Sequence, residues 1–321
     1  MKRFLRRFSF LFLLFVALHL VLLFAIPADH NQYLNAYNHK QRLLNEVPSP
    51  RIIFMGGSNT AFGINSRMVE DSLKLPVINH GLHGGIGLRF PMTEALPSLR
   101  RGDIVVLQAE YSIFFEETCN AETMPKLMAA TRWQGATRLS AAEWNAVLTG
   151  TPMLALSHLK RLLLYPFRHS FNTPEPHDHF VYTASGFNAY GDEVSHLQFP
   201  STTYVASSYK ETRPVRQEFV RWLHDILHDM EQRGIRLVML PPACVESYFN
   251  GHYTSEIADA LQSIGYPYLV QPETMTVPDS FVFDSGYHLN AQGMDLNTRR
   301  IIGILVKQVS FVESYDSRIS H

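Results

Sequence analysis

The stretch that most restricts the fold runs from Arg51 to Ser66, RIIFMGGSNTAFGINS. Ile52-Ile53-Phe54-Met55 is a short unbroken apolar run, as expected of a strand buried on both faces, and it stops at Gly56-Gly57 before a helix predicted over Ser66 to Leu73. Two glycines allow a tight strand-to-helix turn, so Ser58 is held at the carboxyl end of a strand with its hydroxyl free. In an open α/β sheet that end is where ligands bind. The plain alternative is a loop with a capping serine.

The rest of the chain repeats the alternation. A second strand is expected at Pro76 to Asn79, leading into the glycine-rich turn His80 to Gly87; a helix from about Leu88 to Leu99 precedes a third strand, Ile104 to Leu107. Pro214 opens a helix through Arg233, ended by Gly234, and Ile235 to Leu240 returns to the sheet. A helix at Thr254 to Ile264, a strand at Pro267 to Val270 and a closing helix from Ala291 to about Val309 complete an α/β fold, doubly wound around a mostly parallel sheet flanked by helices. Between them, residues 112–213 break the pattern and read as an inserted helical and loop cap: Ala141 to Leu164 has helical spacing, and Pro166 to Tyr209 is rich in His, Pro, Tyr, Ser and Asn.

At the amino terminus, Phe8 to Ile26 is interrupted only by Ser9 and His19. Nineteen such residues span roughly 28 Å as a helix, close to the hydrocarbon thickness of a bilayer. Lys2, Arg3, Arg6 and Arg7 precede the stretch and favour a cytoplasmic start, which sends the body across the cytoplasmic membrane to its outer side. A cleaved signal peptide is the rival reading, with small residues near Pro27, although the apolar core is long for one. The expected organisation is therefore residues 1–28 as basic tip and anchor, 29–50 as stalk, 51–311 as the α/β domain and 312–321 as tail. With the basic tip set aside the body is acidic on balance, which gives no footprint for nucleic acid. Cys119 and Cys244 leave one bridge or two thiols open.

The chemistry is suggested by the far end of the chain, where Phe281 to Gly293 reads FVFDSGYHLNAQG. A serine hydroxyl needs a base and donors for the charge that develops on an attacked carbonyl. His288 is the candidate base, Asp284 the group that orients it, and the backbone N–H groups of Ser58 and Gly84 the candidate oxyanion donors, because both turns follow adjacent parallel strands.

These blocks resemble the SGNH hydrolases, also called GDSL-like esterases and acyltransferases. Gly57-Ser58 with Gly63 resembles the first block, Asn79, Gly81 and Gly84 the second, and Asp284, His288, Asn290 and Gly293 the last. The resemblance covers about Arg51 to Tyr111 and Pro214 to Val309. Asp284 and His288 are spaced by four residues where three is usual, Tyr287 being the extra one; that wider form is similar to membrane-anchored members associated with cell-surface polysaccharides. The asparagine of the third block is absent. Gln108-Ala109-Glu110-Tyr111 stands there, with Gln108 as a possible amide donor and Glu110 and Tyr111 as pocket residues.

The resemblance implies a Ser-His-Asp acyl-ester enzyme, an O-acetyltransferase or esterase, with an acyl donor and a surface glycan as partners and no cofactor. A transferase of this type would work beside a multispanning membrane acyltransferase. The missing asparagine motivates an alternative, a catalytically weak glycan-binding or scaffold subunit. Asn59, His83 and Tyr287 complete the candidate pocket. His177-Asp178-His179 has metal-ligand spacing but no third ligand nearby, so no metal is assigned; Gly56-Gly57-Ser58 lacks the Gly-Lys-Ser/Thr ending of a phosphate loop.

Overall fold

The computed structural model describes residues 1–24, 31–164, 181–201 and 213–319, the side chains of 164 and 308–319 excepted. The helices are α1 (Lys2–Phe24), α2 (Ala36–Glu46), α3 (Ser58–Gly63), α4 (Ser66–Leu73), α5 (Arg89–Ala95), α6 (Met124–Ala130), α7 (Ala141–Leu164), α8 (Gln217–Gln232), α9 (Gly251–Ser263) and α10 (Ala291–Ile319). The strands are β1 (Ile52–Gly56), β2 (Val77–Asn79), β3 (Ile104–Gln108), β4 (Arg236–Met239), β5 (Cys244–Val245) and β6 (Thr276–Val277). A parallel four-stranded sheet has the order β2-β1-β3-β4, and β5 and β6 form a separate parallel pair.

Alternate residues of the strands feed two cores. Ile53, Met55, Val105 and Leu107 pack with Leu44 of α2, Met92 and Ala95 of α5, Leu223 and Leu227 of α8 and Ile257 of α9. Ile52, Phe54, Ile104 and Val106 pack on the other face with Val69 of α4 and Ile301 and Leu305 of α10. The protein is thus α/β, with a parallel sheet flanked by helices and an apolar helix at its amino terminus. The strand order reverses between β1 and β3, and the crevice at such a switch point opens at the carboxyl ends of the strands.

Local sequence accounts for the elements around that crevice. Asn65 caps α4 by accepting from the Met68 N–H, and Lys74 ends it in the left-handed region at φ 58°. Arg51 is fully buried and staples α2 to the sheet: its Nε meets Asp103 at 3.3 Å, and its other nitrogens donate to the carbonyls of Leu44, Val47 and Ser98.

Two expectations are corrected, and one left open is decided. The residues expected as a stalk are packed into the body from Tyr33 onward, with Tyr33, Leu34, Tyr37, Lys40 and Leu44 buried, because the tyrosines and leucines interspersed among the polar residues fall on one face. Pro267 to Val270 is not a strand: Pro267 has no N–H to give, and the segment makes a single sheet-like bond, Leu269 N–H to the Met239 carbonyl at 3.0 Å. Of the two readings open for Cys119 and Cys244, the structure has two free thiols, both buried, and burial pushes both up to about 12.

Candidate active site

Parallel register builds the first half of the site. Gly56 of β1 pairs with Gln108 of β3, so the second residue beyond each strand partner emerges on the same side of the crevice; these are Ser58 and Glu110. Ser58 is the first residue of α3 and half-buried. Its hydroxyl donates to Glu110 Oε1 at 3.2 Å, and the same oxygen accepts the Asn59 N–H at 3.3 Å. The Glu110 carboxylate fills the space between the two glycine turns: a Cβ on Gly57 would stand 2.3 Å from Oε1 and one on Gly84 would stand 2.5 Å from Oε2. Only glycine at both positions lets the carboxylate lie there.

The Asp284–His288 segment supplies the second half. The Phe283 N–H donates to the His288 carbonyl at 2.7 Å and the His288 N–H to the Ser285 carbonyl at 3.1 Å, closing a compact turn that accommodates the four-residue spacing. Within it His288 Nδ1 lies 2.6 Å from Asp284 Oδ1. With Nδ1–H donating to the carboxylate, Nε2 is left as the basic nitrogen. Burial alone would raise the Asp284 carboxyl, but the hydrogen bond and charge of His288, with a hydrogen bond from Tyr182, hold it below the usual range.

Phe62 joins the halves. It lies one helical turn beyond Ser58 on α3, and its ring stacks on the His288 imidazole with centroids 4.1 Å apart and planes 11° apart. Among the described residues no hydrogen bond joins Ser58 to His288; the Ser58 hydroxyl is taken by Glu110. His83 also faces this crevice: burial, then the neighbouring His288, pull its imidazole down to about 4, and its Nδ1 accepts the Gly85 N–H at 2.9 Å.

The remaining candidates fall elsewhere. Asn59 is buried and holds the turn, accepting from the Gly57 N–H and donating to the Gln108 carbonyl. Gln108 cannot replace the missing asparagine as a donor, because its amide is buried and points to the Pro241 carbonyl at 3.3 Å; a residue inside β3 on that side faces the core. Tyr111 and Tyr287 belong to the core beside α8 and α9, where the Tyr287 hydroxyl accepts the Tyr111 N–H at 3.1 Å. His177, Asp178 and His179 lie outside the described residues, and among the described residues no cluster of metal-ligand type occurs. A cleft of about 340 Å³ bordered by Arg89, Glu143, Arg216, Phe219 and Trp222 lies beyond the Gly84 turn and includes none of the residues at Ser58.

Two contributions were missed in sequence, both from the insertion. The Tyr182 hydroxyl donates to Asp284 Oδ2 and lies 3.2 Å from His288 Nδ1. Beneath Phe62, His196 sits between Glu193, at 2.6 Å from Nδ1, and the Leu289 carbonyl, at 2.9 Å from Nε2, so the residue after His288 is tied to the insertion. Nearby, Asp192 accepts from Ser66 and Asn79, clamping the insertion to the end of β2. An isolated tyrosine in a polar stretch carries no periodic signal, and none marked Tyr182. Compared with known protein families, with characterised proteins and with solved structures, the chain matches none.

Proposed function

We propose that this protein is a serine acyl-ester enzyme anchored by α1, an O-acetyltransferase or esterase of SGNH type acting on a glycan outside the cytoplasm. The observation that carries the reading is the Phe62 stack, which sets an Asp284-oriented imidazole one helical turn from Ser58. In this reading Ser58 turns from Glu110 toward His288 when an acyl ester enters. Its oxygen attacks the carbonyl carbon while the proton passes to His288 Nε2; collapse expels the alcohol, which takes that proton, and leaves an acyl-Ser58 ester. A sugar hydroxyl or water then attacks the ester, with His288 again as base. A transferase would receive its acyl group from a multispanning membrane protein, since one helix offers no route for an acyl donor.

The anchor is supported by α1 itself, the one helix among the described residues long and apolar enough to cross a membrane. Its basic start favours the orientation with the body outside. A second reading, a catalytically weak glycan-binding or scaffold subunit, is favoured by the Glu110 carboxylate standing among the groups expected to receive an oxyanion.

The test is hydrolysis of an aryl acetate by the detergent-solubilised full chain, with labelling by a serine-reactive phosphonate. Ser58→Ala and His288→Ala are each expected to lower kcat/KM by about 1000-fold or more, and Ser58→Ala to abolish labelling. Rates equal to wild type in both variants would favour the binding role.

A further inference from the structure

Helix α7 is predominantly apolar, yet protein covers only part of it. Ala146, Val147, Leu154 and Ala155 are buried, whereas Leu148, Met153, Leu156, Leu162 and Leu163 are 63%, 68%, 42%, 56% and 62% exposed. Among the described residues outside α1, five of the nine exposed large hydrophobic residues are on this helix, so the exposure is concentrated there and not scattered. Positions 148, 152, 156 and 163 recur on one side and are exposed, and from Trp144 to Leu164 the helix has no acidic residue, its only charged groups being Lys160 and Arg161 near the end.

This face continues a contact already made by α1. α1 packs along α7, with Leu22 and Leu23 against Leu154 and Ala155, and His158 Nδ1 lies 2.8 Å from the Leu22 carbonyl. The α1 residues that are not exposed, Val16, His19, Leu22 and Leu23, form one stripe. From Val16 to Leu23 the stripe is about 10 Å long, so whatever lies against it sits at the depth of the last turns of α1. The hydroxyls of α7 suit such a place: Thr149 donates to the Asn145 carbonyl at 2.6 Å, Thr151 to Leu148 at 3.0 Å and Ser157 to Leu154 at 2.7 Å, satisfying each within the helix.

We propose that α7 is a second membrane-seated element, its Leu148-to-Leu163 face immersed in the acyl chains of the leaflet where α1 ends. The inference rests on α1 spanning a bilayer. A leucine and methionine face flush with the end of a span is already at hydrocarbon depth, and the same face in water would be an apolar patch of the kind soluble surfaces avoid. Lys160 and Arg161 are long enough to bring their charges up to the headgroups.

The experiment places an environment-sensitive fluorophore on single cysteines in the full chain, reconstituted pure into phosphatidylcholine vesicles. Leu148→Cys, Leu156→Cys and Leu163→Cys change only exposed positions, Phe12→Cys reports on the anchor, Asp225→Cys on the water-facing side of α8, and buried Cys119 and Cys244 stay unlabelled. Nitroxide-bearing lipid is expected to quench the three α7 probes and the Phe12 probe, with iodide without effect, and iodide alone to quench the Asp225 probe. α7 probes quenched by iodide beside a lipid-quenched Phe12 probe would overturn the inference and leave the anchor standing. Probes reached by neither quencher would overturn it in favour of a second copy covering the face, and a Phe12 probe quenched by iodide would remove the anchor and the inference together.

Discussion

Glu110 is the residue whose chemistry is least expected of an acyl-ester enzyme. An oxyanion forming about 4 Å from its carboxylate would be opposed by about 4 kcal/mol at an effective dielectric constant near 20, so the anion and the carboxylate cannot share the pocket at no cost. Glu110→Gln keeps the shape, removes the charge and offers an amide donor; kcat for an aryl acetate is expected to rise by about 100- to 1000-fold, the range attached to one oxyanion donor. A fall would instead make Glu110 the proton acceptor for Ser58, with which it already shares a hydrogen bond. Tyr182 acts through its neighbours. Tyr182→Phe removes the hydroxyl that meets Asp284 and His288, and kcat is expected to fall about three- to tenfold with KM unchanged.

At the scale of elements, Arg51 is the test of how α2 and the sheet depend on each other. Arg51→Met leaves Asp103 buried without its ion-pair partner and three carbonyls without donors, and is expected to cost about 3–5 kcal/mol, read as a Tm lower by about 10 °C. Asp103→Leu in the same chain should recover much of that loss. The elements themselves were largely legible. The apolar run of β1 and the glycine after α8 are signals confined to a few neighbours, and they place β1, α8 and β4 within a few residues. What was not legible depends on partners remote in sequence. Glu110 stands beside Ser58 because Gly56 pairs with Gln108, a register that no local pattern states, and without it Gln108 and Glu110 looked equally able to face the pocket. Tyr33 and Tyr37 looked like a polar stalk until the core they enter was present.

Across the whole molecule, acid should loosen the fold in two stages. Burial, and then the neighbouring Lys40, pull His80 down to about 3, against an unfolded value of about 6.5. Below 6.5 the unfolded chain takes up a proton that the folded chain refuses, so the contribution is full above that pH and is lost on acidification, at about 1.4 kcal/mol per pH unit. Asp284, held below its ordinary value, adds a further loss only as pH falls below about 4. Urea midpoints are expected to drop between pH 7 and pH 5, and the slope to be shallower in His80→Gln.

Tyr33 carries a last consequence. Its hydroxyl donates to the Leu82 carbonyl at 2.8 Å and its ring meets those of His83 and Tyr182, so the rim of the crevice is made by a residue only nine positions beyond Phe24. Nine residues reach at most about 30 Å. On the proposed reading, an enzyme anchored by α1 on so short a leash would work within a thin shell above the lipid and would decorate a polymer as each segment passes its root, leaving the distant, already extended portion untouched.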